Sequence, residues 1–381
     1  MFDNRQKIRS TVAVLIIFLF LLTLLFTAGC SDIGHKQPTF DIWVLKIDAD
    51  GDEQWSTIID DDPNGIGIEM IQTQDDGYAI AGSGNGPIIR IFTLDAKGDA
   101  GLDLTINTSP DSGRSLVEAP GGGYAVTTRW ECLKRIDESG TVLWSTPLGE
   151  ESDPLLWEVD KGWRVVRAPD GGYATAGNNR SVRLDEDGMI LWETAFAPDK
   201  SARTIIAAPT GGFVTGGICD AGVWVTQLNA EGDSVWNRTF STELPARLYI
   251  VRLSPDGTYD LIYGITQHVS EDNQEDKWIT ETMEVSLSAQ GEQIGEKPVQ
   301  VSRIIVATED GGYAYCGYSH PQYNDLRSSD NPGSPLRVVR LDTAGEVVWD
   351  ASFDIGDDRP VTSIIQTADG GFALFGRYLD F

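Results

Sequence analysis

Histidine, cysteine, methionine and positive charge are all scarce in this chain, and each scarcity removes a class of function. Three histidines in 381 residues, His35, His268 and His320, leave little imidazole for acid–base chemistry or metal ligation. The four cysteines, Cys30, Cys132, Cys219 and Cys316, show no C-x-x-C spacing, so no thiolate metal centre is expected. The last three read either as one disulfide plus an odd thiol or as three buried free thiols acting as small apolar groups. Against 58 acidic residues there are 29 basic ones, a net charge of −29. Such a surface repels phosphate backbones and anionic headgroups, so no nucleic-acid partner is expected and membrane contact must come from an anchor. G-x-S-x-G, H-E-x-x-H and phosphate-loop motifs are missing too, and the abundant carboxylates single out no catalytic pair. No catalytic residue, metal ligand or cofactor is therefore assigned. Long apolar runs are absent after residue 31.

What precedes residue 31 is the exception. "MFDNRQKIRSTVAVLIIFLFLLTLLFTAGCSD" has a basic start, an uncharged run from Ser10 to Ser31 and small residues before Cys30, the layout of an export signal. "TAGC" resembles the lipobox at which lipoprotein signal peptides are cut and the new terminal cysteine is acylated. The same run is long enough to remain as a membrane helix, with Arg5, Lys7 and Arg9 on the cytoplasmic side. Either reading places residues 31–381 outside the cytoplasm. Residues 1–29 are thus a signal peptide or anchor, 30–39 a linker, and 40–381 the folded domain.

That domain is built from two alternating signatures. An Asp-Gly-Gly-aromatic step, as in "RAPDGGYATAG" and "QTADGGFALFG", places its aromatic at Tyr78, Tyr124, Tyr173, Phe213, Tyr259, Tyr313 and Phe372. The fifth copy, "SPDGTYDLIYG", reads as slipped by one residue. Between them runs Asp-x-x-Gly-x-x-x-Trp, as in "RLDEDGMILW", starting at Asp48, Asp95, Asp137, Asp185, Asn229, Ser288 and Asp342. Two of these have decayed: Leu102 replaces the Trp after Asp95, and "SLSAQGEQIG" keeps neither Asp nor Trp. Each signature is a strand, a glycine-dependent turn and a second strand, so each is one hairpin. Two hairpins in series make a four-stranded antiparallel sheet that cannot bury both faces alone, whereas seven such sheets around an axis can. The expected fold is all-β, a seven-bladed β-propeller of four-stranded antiparallel blades. Small residues after the aromatic, as in "YATAG", suit the crowded inner strands, and the Trp suits the wider outer wedge. Because the chain opens with a Trp-type hairpin (42–58) and ends with an Asp-Gly-Gly hairpin (363–377), the two termini should complete the last blade together.

The Asp-x-x-Gly-x-x-x-Trp signature resembles the tryptophan-docking motif of pyrroloquinoline-quinone-like propeller repeats. The tandem as a whole is similar to propeller surface proteins of archaea and bacteria rich in "DGGYAIAG" copies, over nearly all of residues 40–381. In the quinoprotein motif Asp and Gly are one residue further apart, with Thr before the Gly, and every copy here departs from that. The quinoprotein enzymes add a calcium site and a catalytic Asp that match no position in this sequence, whereas propeller lipoproteins that assist outer-membrane assembly act by binding. The resemblance implies a membrane-tethered binding scaffold, with a quinoprotein-like or carbohydrate-active enzyme as the alternative.

"DADGDEQWSTII" from Asp48 begins like an EF-hand loop but lacks its Gly and its final Glu, so Asp48, Asp50 and Asp52 read as a turn. Sequons at Asn107, Asn179 and Asn237 permit glycosylation in an exported protein. Connections between hairpins all leave on one face of the expected ring. Most are short, but "TQHVSEDNQEDKW" (266–278), "SHPQYNDLRSSDNPGSPLR" (319–337) and the segment from Glu151 are long. Recognition concentrates on such loops, which makes Trp157, His268, His320 and Tyr323 the candidate binding residues. The expected partner is a surface protein, a glycan or an envelope component, met by a monomeric chain.

Overall fold

The computed structural model describes residues 39–59, 66–83, 88–108, 112–129, 131–149, 163–269, 277–319, 326–327, 334–356 and 359–380. All seven Asp-x-x-Gly signatures fold into one turn. The side-chain oxygen of Asp48, Asp95, Asp137, Asp185, Asn229, Ser288 or Asp342 accepts the backbone N–H groups two and four residues on, at 2.7 to 3.2 Å. The glycine at the fourth position takes φ between +73° and +91°, which a side chain would oppose. The Asp48 segment, which begins like an EF-hand loop, folds into this same turn. In the other signature both glycines of the third blade take positive φ, +98° at Gly171 and +69° at Gly172, and a Cβ on Gly172 would in addition crowd the Leu184 carbonyl oxygen. The fifth copy has not slipped. Tyr259 follows Ser254 by the same interval as Tyr173 follows Ala168, each turn closing on its fourth residue, and Thr258 simply replaces the second glycine.

These hairpins pair into seven antiparallel sheets. The N-terminal hairpin is β1 (Thr39–Ile47) and β2 (Glu53–Ile59). The first blade follows as β3 (Ile66–Gln72), β4 (Tyr78–Ser83), β5 (Ile88–Leu94) and β6 (Ala100–Asn107). The second is β7 (Gly113–Glu118), β8 (Tyr124–Thr128), β9 (Cys132–Ile136) and β10 (Val142–Pro147). The third is β11 (Arg164–Arg167), β12 (Tyr173–Gly177), β13 (Arg180–Leu184) and β14 (Ile190–Ala195). The fourth is β15 (Ser201–Ala207), β16 (Phe213–Cys219), β17 (Gly222–Leu228) and β18 (Ser234–Ser241). The fifth is β19 (Ala246–Leu253), β20 (Tyr259–Val269), β21 (Lys277–Leu287) and β22 (Gln293–Val299). The sixth is β23 (Ile304–Ala307), β24 (Tyr313–Ser319), β26 (Leu336–Leu341) and β27 (Val347–Phe353), with β25 (Leu326–Arg327) added to β24. The closing blade is β28 (Val361–Gln366) and β29 (Phe372–Asp380) joined by β1 and β2. There β1 pairs β29 from Thr39↔Asp380 to Ile47↔Phe372, so the ends of the chain share one sheet as the hairpin order requires.

The first strands β3, β7, β11, β15, β19, β23 and β28 lie against one another in that order and back to β3, so the Asp-Gly-Gly hairpins form the inner wall. The fold is a seven-bladed β-propeller. Side chains from adjacent blades cap amides of this inner region: Leu116 N–H donates to Glu69 at 3.1 Å, Val165 N–H to Ser115 at 3.2 Å, and Ala368 N–H to Gln72 at 2.8 Å. A separate apolar cluster fills each seam. The smallest, between the fifth and sixth blades, has five fully buried residues, against seven to thirteen at the others.

The two signatures prove to be halves of one joint. Trp55, Trp144, Trp192, Trp236 and Trp349 each reach across a seam, and each indole N–H donates to a turn carbonyl of the next blade: Ala96, Glu186, Ala230, Ala289 and Ala49, at 2.8 to 3.2 Å. Their rings meet Tyr78, Tyr173, Phe213, Tyr259 and Phe372 at centroid distances of 5.6 to 6.2 Å, in edge or tilted contact. An edge-to-face pair adds about 1 kcal/mol beyond the area it buries. At the first–second seam Leu102, standing at the Trp position, is 48% exposed. The contact there comes from Leu104, two residues on, beneath Gly140.

Turn carboxylates also give the fold an acid limit. Hydroxyls of Thr73, Ser139 and Thr258 hold the carboxyls of Asp75, Asp137 and Asp256 below the ordinary range. Burial pushes Asp369 up, but Lys46, Thr367 and the Gly371 N–H outweigh it and leave it low. Groups with depressed folded values stabilise above the unfolded value of about 3.9 and lose that contribution as pH falls through the lower folded values. Neutralising part of the −29 charge relieves repulsion on the way down. At constant ionic strength Tm is expected to hold or rise from pH 7 toward the isoelectric point near 4.3, then fall below about pH 4. A Tm still climbing below that point would contradict it.

Candidate functional site: the loop-bearing face

Each blade runs from its first strand to the Asp-Gly-Gly turn, back, out to the Asp-x-x-Gly turn, and back again. Both turns therefore lie on one face of the ring. Connections within a blade between its hairpins, and from blade to blade, lie on the other. On that second face the fifth and sixth blades carry added strand structure among the described residues. In the fifth blade β20 and β21 extend to 11 residues each, against 5 each for β12 and β13 of the third. Their pairing continues past Gly264↔Thr282 to Val269↔Lys277, and His268 lies opposite Trp278 within this extension. In the sixth blade β25 pairs β24 through Tyr318↔Arg327 and Ser319↔Leu326. Because β26 occupies the other edge of β24, β25 continues the line of the inner strand β23 toward the axis. β25 thus lies on the axial side of β24, and β20 and β21 continue from the face as a β-ribbon.

Of the candidate residues, His268 is placed by its backbone on that ribbon. Trp157, His320 and Tyr323 lie outside the described residues, as do Cys30 and the whole N-terminal segment. Among the described residues no helix is long and apolar enough to cross a membrane. Cys132, Cys219 and Cys316 are free thiols, so the disulfide alternative does not hold. Only Cys316 is fully buried, and desolvation pushes its thiol well up; Cys132 and Cys219 are half-buried.

Two structural groups escape the sequence reading. On the loop-bearing face Glu131 and Asn178 adopt φ of +58° and +46°, conformations that side chains adopt at a cost. Glu131 is 5% exposed, its carboxylate accepts the Asn178 amide, and its carbonyl accepts the Leu148 N–H at 2.6 Å. The contact ties the second blade to the third. Its one sequence sign is negative, a connection without glycine where the backbone needs one. The other group lies two residues before the Asp of the outer signature. Lys46 bonds Asp369 at 2.8 Å, Arg183 bonds Asp170 at 2.7 Å, and Arg135 donates to the Pro120 carbonyl at 2.9 Å. These buried cations lock the two turns of a blade together. The recurring "KID", "RID" and "RLD" could have revealed them.

Across the inner wall of the loop-bearing face Arg164 reaches Glu69 at 2.5 Å, past the intervening blade. The face thus offers paired charge, a projecting ribbon and an inward strand. No family model matches the chain, and no curated protein matches it. Among solved structures it is similar to a streptogramin B lyase at 12% identity, covering 89% of this chain and 98% of that one, with a TM-score of 0.59. It is also similar to virginiamycin B lyase from Staphylococcus aureus at 10% identity, covering 88% and 99%, with a TM-score of 0.52. The Neurospora crassa Pan2 WD40 domain matches at 10% identity over 82% and 89%, with a TM-score of 0.50. At such identities the likeness is one of fold, the β-propeller.

Proposed function

We propose that this protein is a membrane-tethered, extracytoplasmic propeller that binds another surface protein, a glycan or an envelope component through its loop-bearing face. The observation that carries the reading is the pairing of a projecting β20–β21 ribbon with the inward β25 segment on neighbouring blades. A rigid ring that carries its long connections on one face, with added strand structure in the fifth and sixth blades, concentrates recognition there. The tether rests on the basic, then apolar, then "TAGC" order of the first thirty residues. The acidic surface favours a partner that is cationic or neutral at its contact.

The test keeps the ring and removes the sector. Closing the fifth-blade ribbon with a two-residue turn directly after the Thr266↔Thr280 pair, and replacing residues 320–334 with a short turn, leaves every seam intact. Affinity capture from cell envelopes should yield a stoichiometric partner with the full chain and lose it with the trimmed one. Tm should stay within a few degrees. Equal capture by both chains would refute the assignment, and turnover on a glycan panel would favour an enzyme.

A further inference from the structure

We propose that the seam between the fifth and sixth blades is a docking socket for a tryptophan carried by an extended, basic segment of a partner polypeptide. Five seams show what such a socket holds. The turn glycine of the receiving blade forms its floor, and Gly51, Gly98, Gly188, Gly232 and Gly291 are all buried beneath an indole ring. The carbonyl one residue after the Asp position accepts the indole N–H. At the first–second seam Leu104 partly fills the space, and Gly140 is half-buried.

At the fifth–sixth seam both walls are glycine. Gly295 stands at the Trp position of β22, and a Cβ there would meet only the Ser286 side chain, at 3.7 Å. Facing it, Gly345 is exposed, and a Cβ on it would find nothing within 4 Å. Thr343 supplies the carbonyl equivalent to the five that accept indoles. Ile294, next to Gly295, and Val347 and Val348, shortly after Gly345, are 59%, 60% and 56% exposed, apolar surface of the kind that Leu143, Leu191 and Val235 give the other outer strands and that the flanks of an incoming strand can cover. β22 is an outermost strand, so its free edge can pair with an extended segment.

The occupant follows from its five counterparts and from charge. A flat apolar ring with one N–H donor fits the floor and the acceptor, and the surrounding Glu292, Glu296 and Glu346, all exposed, call for basic residues on either side of it. The ring does not need this socket filled, because a buried Arg252 holds the same seam further in. The site lies toward the turn face and is independent of the loop-bearing sector.

A labelled peptide copying β27, Val347–Phe353, with lysines added at both ends provides the probe. Fluorescence anisotropy should show saturable binding to the full chain. Changing the peptide's tryptophan to alanine should weaken it about tenfold or more. Gly295→Trp, which puts the chain's own indole in the socket, should weaken it as much and keep or raise Tm. Independently of any variant, bound peptide should slow hydrogen exchange along β22 and in residues 342–346. No saturable binding at millimolar peptide, equal binding by the alanine peptide or by Gly295→Trp, or protection elsewhere on the ring would each overturn the proposal.

Discussion

A chain lacking residues 39–59 is expected to show no cooperative thermal transition and to bind hydrophobic dyes at room temperature. The segment contributes β1 and β2, half of the closing blade, and Ile42, Trp43, Val44, Leu45 and Ile47 within it are 0–2% exposed. Burying five such side chains is worth on the order of 10 kcal/mol, at about 2 kcal/mol each. That matches the whole stability of a typical domain, about 5–15 kcal/mol. Deletion would also bare the β29 edge over its full pairing with β1 and remove Trp55 from its socket on the first blade. Supplying residues 39–59 as a separate peptide should restore part of the transition, because the missing piece is a hairpin that pairs at an edge. A deletion chain melting within a few degrees of the parent would mean that the ring does not depend on closure.

The ring was legible because both of its turns encode their geometry within five residues. In the outer turns an Asp, Asn or Ser accepts the second and fourth following amides three residues before a glycine at positive φ, and a glycine-bearing step before an aromatic recurs between them at fixed spacing. Their order along the chain then required the termini to meet. Joints between blades were less legible, since they depend on which side chain reaches a neighbour 21 to 300 residues away. Trp192 could be read as a wedge, but not as the partner of Phe213. Leu102 shows the limit: it stands at the right place in the pattern, yet the local hydrogen bond from its N–H to Thr93 goes with an exposed side chain, and Leu104 takes over. The order of hairpins already puts the long connections on one face, where β20, β21 and β25 stand; of the four candidate residues only His268 is among the described ones. Glu131 and Asn178 stayed hidden because the mark of such a backbone is a missing glycine, which singles out no particular residue.

Arg252→Met is expected to destabilise the domain by about 3–5 kcal/mol, the cost of stranding a buried charge. Arg252 and Asp260 side chains are 8% and 7% exposed and paired at 2.9 Å. The guanidinium also donates to the Gly311 and Gly312 carbonyls of the sixth blade at 2.6 and 2.7 Å and lies 3.8 Å over the Tyr313 ring. Ser286 donates to the other Asp260 oxygen at 2.6 Å, and Ser254 donates to the first. Each of these residues breaks the repeat: Arg252 replaces an aliphatic such as Ile71 or Val166, Asp260 replaces Ala79 or Ala174, and Ser286 replaces Lys46 or Arg183. The departures occur together in one of the two blades whose outer strand has no Trp to lend. What looks in sequence like decay of the fifth repeat is a different lock on the same seam, moved from the rim to the interior and built from charge instead of an indole. Breaking it should therefore loosen this seam before any other, with hydrogen exchange quickening first in β19–β23. Asp260→Asn alone should cost less, because its amide keeps bonds to the serines. The two changes combined should cost clearly less than their sum, since each removes the charge that the other would strand. Additive losses, or an Arg252→Met chain within about 1 kcal/mol of the parent, would show that the fifth and sixth blades are held by their small apolar cluster alone.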